Sequence, residues 1–534
     1  MKRIFALLAV LCLLLGCLAG CSSTLEEEED RESEKDDGGK KSSISGAFDE
    51  DDEKESEKED DSQKEDDPQE DDEEKADPTN PGIILPTEPP VEPVQPVIGN
   101  FAVPSVGYDG SEVTIKFAHT MGAKLQAVLD YHIGEFNKLY PNIHIEHNAY
   151  GGWSDIAGMI NTEIIGGTQP NIAYCYPDHV ATYNKSMTTV TLDELIKSNV
   201  TVTRADGSTE ILGLTQQQID DLVAGGYYYE GMVYGDGLMY TLPMSKSTEV
   251  LYYNKTFFEA NGISVPTTWE EMEAVCRQIK QIDPSCIPLG CDSEDNLFIN
   301  LCEQYGCDYT SATGEHYLFN NDGCKSFTKM LNRWYQSGYM TTEELYGGYT
   351  SSLFTETDKS FDHCYMCIAS TGGASYQLPE NGAFEVGVAP IPQADPSDPK
   401  VICQGPALCL LKGGSNHETV ASWLFMKYLA TNLSFQAEFS MTSGYMPVIA
   451  SVQQNPYYSS WLQNANGYKN LSALVVKVGQ QQSYSYFTAP AFVGSSAART
   501  QVGKLLVQCM LERNLDSKID SLFQNAYDEL KYRY

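Results

Sequence analysis

Positive charge is scarce in this chain. Its 534 residues include 35 Lys and Arg against 75 Asp and Glu, a formal net charge of −40. A chain of that sign repels phosphate backbones, which opposes nucleic-acid binding. Hydrolase signatures are also missing. There is no Gly-x-Ser-x-Gly elbow, no His-Glu-x-x-His pair and no EF-hand-like calcium loop. Scattered carboxylates always permit a glycosidase pair, but no motif marks one. The 15 cysteines show no zinc-site spacing. The single CxxC, Cys364 to Cys367, lies in "HCYMCIAS", which reads as a buried strand. No metal or cofactor is implied.

The start of the chain carries a different message. Lys2 and Arg3 precede an apolar run, Ile4–Leu15, too short to span a bilayer with stop-transfer flanks. Leu18-Ala19-Gly20-Cys21 then matches the bacterial lipobox. Residues 1–20 thus resemble a lipoprotein signal peptide. That resemblance implies cleavage before Cys21 and lipid attachment to its sulfur and new amino group. Residues 25–77 hold 28 acidic residues against 8 basic ones, a net −20, with almost no aliphatic or aromatic side chains. Such a stretch cannot bury enough apolar surface to fold. A proline-rich segment, 78–99, favours extended chain. Residues 21–102 therefore read as a lipidated cysteine and a disordered tether that lifts a folded domain, 103–534, off a membrane. Twelve cysteines follow Cys21. They read as mostly free, buried thiols, with Cys302/Cys307 and Cys276/Cys286 as candidate pairs.

Periodicity in the folded part alternates between strand and helix. Val113, Ile115 and Phe117 alternate as in a strand. Leu125, Val128, Leu129, Ile133, Phe136 and Leu139 recur at helical spacing and must stop before Pro141. Ile143 and Ile145 begin a second strand, giving a β-α-β unit with parallel pairing. The plan repeats with a helix over 154–165, a strand over 171–176 and a helix from about Asp178. Further on come a strand over 248–253 and a helix capped by Thr268, with Glu271 completing a capping box. A Gly-rich turn follows the "CIAS" strand, a helix pair spans "ASWLFMKYLAT" to "TSGYMPV", and residues 498–533 read as helical. The fold class is α/β, an open sheet architecture.

Several segments in order, "FAHT", "IGEFNKLYPNIHIE", "TQPNIAYCYPD", "GLMYTLPMSKSTEVLYYNK", "PTTWEEM", "CIASTGGASY" and "TSGYMPV", resemble extracellular solute-binding proteins of family 1. These are the sugar and glycerol-phosphate binders of ABC importers. The resemblance covers roughly 111–534. It implies the two-lobe type II periplasmic-binding-protein fold, with crossings near 243–248, 402–406 and 444–450. Lobe 1 would take about 103–245 and 405–446, and lobe 2 about 248–402 and 450–534. Ligand would be held between the lobes, beyond the carboxyl ends of strands.

A sugar offers an apolar face to aromatic rings and a hydroxyl rim to fixed polar groups. Trp153, after Gly151 and Gly152, is the first candidate for stacking, against the alternative of a core indole. Tyr176 and Asp178 follow the third strand, but Pro177 interrupts the family pattern and Asp178 is equally placed to cap a helix. Ser247 lies at the first crossing, either on ligand or only stitching the hinge. In the turn after the "CIAS" strand, Thr371 and Gly372 can turn backbone N–H groups toward a ligand, and Tyr376 can stack nearby. Gln404 and Gly405 sit at the second crossing. Tyr445 occupies a family contact position. Glycerol-phosphate binders carry an arginine in the late loop. Here "APAFVGSS" places Phe492 there, with Arg499 the nearest alternative cation, which favours a neutral mono- or oligosaccharide over a phosphodiester.

The resemblance thus implies a monomeric, non-enzymatic binding lipoprotein on the extracellular face of a Gram-positive-type cell membrane. It would deliver carbohydrate to ABC permease subunits. The alternatives are a glycerol-phosphodiester or other solute binder, a ligand-sensing lipoprotein or, less favoured, a secreted glycosidase.

Overall fold

The computed structural model describes residues 98–481 and 485–531. The signal peptide, Cys21 and the acidic and proline-rich segments up to residue 97 lie outside the described residues. Packing begins ahead of Val103. Asn100 accepts from Thr191 N at 2.9 Å and donates to Thr189 O at 2.8 Å, and Phe101 is buried.

The β-α-β periodicity becomes the first of two sheets. Strand Val113–His119 pairs in parallel with Ile143–Ala149, Val113 opposite Ile143, and with Ile172–Cys175, Phe117 opposite Ile172. Between the first two strands runs helix Ala123–Leu139, which buries Leu129 and Phe136. It ends at Tyr140, one residue before Pro141. Helix Trp153–Gly166 follows and stops on Gly167, whose φ of +69° suits the residue without a Cβ. Strands Ala407–Leu410 and Thr241–Pro243 complete this sheet, and both of their pairings are antiparallel.

The second sheet is built on the buried strand Ser247–Asn254. Met366–Ser370 pairs with one edge of it. Along the other edge, Val386–Pro390 pairs with its end and Cys403–Gln404 with its start. Leu289–Cys291 and Met340–Thr342 extend the sheet beyond Met366–Ser370. Helix Trp269–Ile282 starts as the sequence predicts: Thr268 Oγ1 accepts from Glu271 N at 3.1 Å, and Glu271 Oε2 accepts from Thr268 N. The tail is two helices, Ser495–Leu511 and Leu515–Lys531, rather than one run over 498–533. Asn332 Nδ2 donates to the carbonyls of Cys509, Met510 and Glu512 and fixes the end of the first helix.

Three crossings join the sheets. Chain passes from Pro243 to Ser247, and from Gln404 to Ala407. The third, at Tyr445–Val448, is tied to the first where Lys246 and Met446 exchange backbone bonds. The molecule is therefore a two-lobe α/β protein with hinge crossings. At the hinge Lys246 is fully buried. It ion-pairs with buried Glu230, and its Nζ donates to Gly405 O at 3.0 Å. All twelve described cysteines are free, and all but half-buried Cys307 are buried. Cys302 faces Cys324, with sulfurs 3.4 Å apart, rather than pairing with Cys307.

Candidate functional site

Two adjoining cavities lie between the lobes, with volumes of about 340 and 580 Å³. Trp153, Tyr176, Asp292, Ser293, Asn296, Tyr349 and Gln404 line both, so they form one cleft. Asp178, Glu343 and Arg499 belong to the first cavity, and Ser247, Glu249, Gly372, Tyr376, Gln377 and Tyr445 to the second.

The first lobe supplies an aromatic wall. Trp153 opens the helix that follows strand Ile143–Ala149, and its indole is half-buried. It stacks on Tyr174, centroids 5.2 Å apart and planes at 13°, and leans on Tyr176 at 4.2 Å. Both tyrosines come from the third strand and the residue after it, so strand register sets the platform. Asp178 lies in the first turn of helix Pro177–Tyr183, which Tyr176 precedes as cap residue. Its Oδ2 accepts from Ser496 Oγ at 2.8 Å.

The crossings and the second lobe supply hydrogen-bonding groups. Asn296, near the start of helix Glu294–Gln304, donates to Glu249 Oε1 and Gln404 Oε1, both at 2.8 Å. Arg499 Nη1 donates to Asp295 Oδ2 at 3.0 Å, and also to Asn296 Oδ1. Asp292 Oδ1 accepts from Thr350 N and Oγ1, both at 2.6 Å. Gly372 lies close against the Tyr445 ring: a Cβ there would stand 3.0 Å from it, so a side chain at this position would press the ring aside. Burial pushes the Tyr445 phenol up to about 12, so it stays protonated and able to donate.

Of the residues singled out in the sequence, nine line the cleft: Trp153, Tyr176, Asp178, Ser247, Gly372, Tyr376, Gln404, Tyr445 and the alternative cation Arg499. Three do not. Thr371 is buried, with its Oγ1 accepting from Thr248 N at 3.2 Å. Gly405 serves the hinge, with φ +95° and its carbonyl on Lys246. Phe492 is buried, stacked on His316 with centroids 4.4 Å apart and planes at 7°, so its ring is occupied by a protein neighbour rather than free for a sugar. Sequence reasoning missed Glu230, Glu249, Asp292, Asp295, Asn296, Tyr309, Glu343 and Tyr349, all of which line the cleft. The one local signal was Ser293, a helix N-cap whose Oγ accepts from Asn296 N.

Carboxylates dominate the electrostatics. Burial first, then neighbouring Asp292 and Asp295, push Glu249 up to about 7, against the opposing Asn296 hydrogen bond. Burial first, then Glu294, Asp292 and Asp295, push Glu343 to about 7 as well. Asp292 is raised by burial, which outweighs its hydrogen bonds from Thr350.

Known proteins share this architecture. The crystal structure of the cyclic α-maltosyl-1,6-maltose binding protein from Arthrobacter globiformis superposes with a TM-score of 0.61 at 16% identity, covering 79% of this chain and 100% of that one. UgpB from Mycobacterium tuberculosis, in complex with glycerophosphocholine, does so with 0.61 at 17% identity, covering 79% and 98%. In sequence, the sn-glycerol-3-phosphate-binding periplasmic protein UgpB of Rhizobium meliloti is 26% identical over 43% of this chain and 54% of its own length. Its Escherichia coli K12 counterpart is 25% identical over 63% of this chain and 74% of its own. The chain thus spans about half the length of the first of these relatives and three quarters of the second. A family model described as bacterial extracellular solute-binding protein matches residues 133–466, more than half of the chain, and the chain belongs to that family.

Proposed function

We propose that this protein is the substrate-binding lipoprotein of an ABC importer, which captures a carbohydrate between its lobes and hands it unaltered to a membrane permease. One observation carries the reading: at the hinge, a cleft faces an aromatic wall with a dense set of fixed hydrogen-bonding groups. Rings suit the C–H face of a pyranose and the polar groups its hydroxyl rim. Two adjoining cavities suit more than one ring. Lipid attachment at Cys21 would hold the domain at the extracellular face of the cell membrane, and the acidic segment would space it outward.

The relatives' names raise glycerol phosphate as a second ligand class. The charge of the cleft argues against it. A phosphate needs an available cation, and Arg499 is engaged by Asp295 while Lys246 is engaged by Glu230. Carboxylates around these pairs would repel a phosphate.

A thermal-shift screen against mono- and oligosaccharides, with glycerol 3-phosphate and glycerophosphocholine alongside, tests the reading. A bound sugar raises the melting temperature, the more so as the logarithm of its concentration over Kd grows, and is recovered intact. Consumption of the sugar would point to a hydrolase, and a shift only with the phosphates would overturn the carbohydrate assignment.

A further inference from the structure

The cleft holds more negative charge than it pairs. Glu230 and Asp295 have Lys246 and Arg499. Among the described residues, Glu249, Asp292 and Glu343 have no Lys, Arg or His within ion-pair distance. Asp292 acts electrostatically on each of the other two. Asp292 lines both, Glu343 lines one and Glu249 the other. An unpaired carboxylate in a partly buried wall is costly, and an arriving cation relieves that cost.

Two further observations point to what arrives. Gln377 is 1% exposed, lines the second cavity, and its Oε1 has no donor. That is a buried acceptor left without a donor on a side chain that lines the cavity. Tyr349 and Tyr376 are 64% and 75% exposed, and both line the second cavity. Bare aromatic faces beside carboxylates attract organic cations. A divalent metal is a poorer occupant, since among the described residues no group of three His, Cys, Asp or Glu side chains could hold one.

We propose that the carbohydrate carries a protonated primary amine, as an amino sugar does, seated among Asp292, Glu249, Glu343, Tyr349 and Tyr376. The proposal rests on the carbohydrate reading above and adds the ligand's charge to it. An –NH₃⁺ brings three donors to a wall of acceptors. A quaternary ammonium brings the charge and no donor, which would leave Gln377 Oε1 unpaired. The raised Glu249 and Glu343 carboxyls agree with a site whose charges repel one another until a cation enters.

Isothermal titration of the protein at neutral pH with matched sugars decides the matter. The pairs are glucose and glucosamine, galactose and galactosamine, mannose and mannosamine, and cellobiose and the β-1,4-glucosamine dimer. N-acetylated forms and glycerophosphocholine are the further arms. At least one amine should bind about tenfold tighter than its hydroxyl partner, the difference expected between a charge-assisted and a neutral hydrogen bond. Glu343→Gln, at a half-buried position, should cut that preference to about threefold or less, read as the ratio of the amine and hydroxyl affinities measured on the same variant. Binding of hydroxyl or N-acetyl forms as tight as the amines would overturn the amine and leave the carbohydrate reading standing. Tightest binding of glycerophosphocholine would overturn both, as would no binding by any sugar.

Discussion

Asp178 and Ser496 stand on opposite lobes and touch across the cleft, Ser496 Oγ donating to Asp178 Oδ2 at 2.8 Å. Asp178 rides on a short helix of the first lobe, and Ser496 on the second residue of helix Ser495–Leu511. The bond ties the two elements together, and lobe closure around a ligand draws on such contacts. Ser496→Ala should therefore shift the ligand-free protein toward open forms. Small-angle scattering should show a larger radius of gyration, and ligand affinity should fall by about 1–2 kcal/mol. An unchanged radius and affinity would mean the bond does not contribute to closure.

The aromatic wall makes a second claim. Trp153→Ala and Tyr445→Ala should each weaken sugar binding by about 1–3 kcal/mol, read by titration calorimetry. Phe492→Leu should leave affinity nearly unchanged, since that ring packs on His316 instead of facing the cleft. Weakening by Phe492→Leu as large as by Trp153→Ala would contradict the assignment.

At the hinge, Lys246→Met strands the buried Glu230 carboxylate. Removing one partner of such a pair costs about 3–5 kcal/mol, visible as a lower urea midpoint. Combining it with Glu230→Gln should recover part of that loss, because no buried charge is then left alone. Equal midpoints for the single and double variants would show that the charge is not the cause.

Glu249 gives a pH dependence. Its folded value lies at about 7, above its ordinary 4.5, so the native state binds the extra proton between those values. Stability then falls as pH rises through that window, by about 3 kcal/mol in total for this group. Asp292, Asp295 and Arg499 are the charged groups around it, and Asn296 its hydrogen-bond donor. Glu249→Gln should lessen the fall in melting temperature between acid and neutral pH, Glu343, raised in the same way, keeping the remainder. A wild-type protein that grows more stable from pH 4.5 to 7, with no difference in the variant, would show that Glu249 is ionised throughout.

How much of the site could be read in advance depends on what held each residue there. Tyr176 and Asp178 follow directly from a strand end that periodicity located. Gly372 and Tyr445 came through family position, and they approach so closely that a Cβ at 372 would press on the Tyr445 ring. Phe492 came the same way and is not among the residues that line the cleft. Position along the chain placed it beside the cleft, while the packing of His316 decided where its ring lies. Glu343 and Tyr349 belong to the chain after the short strand Met340–Thr342, in a stretch with no distinctive composition. Nothing local separates them from ordinary surface carboxylates and rings.

The sequence by itself determined the strands and helices, the capping of helix Trp269–Ile282 and the strong acidity of the chain. These depend on contacts within a few residues and on charge, which local pattern encodes. Only the tertiary structure decided which carboxylates share one cleft and which cations they keep. Asp178, Asp292, Glu343 and Arg499 are far apart in the chain, and long-range packing, which no short window of sequence contains, brings them together.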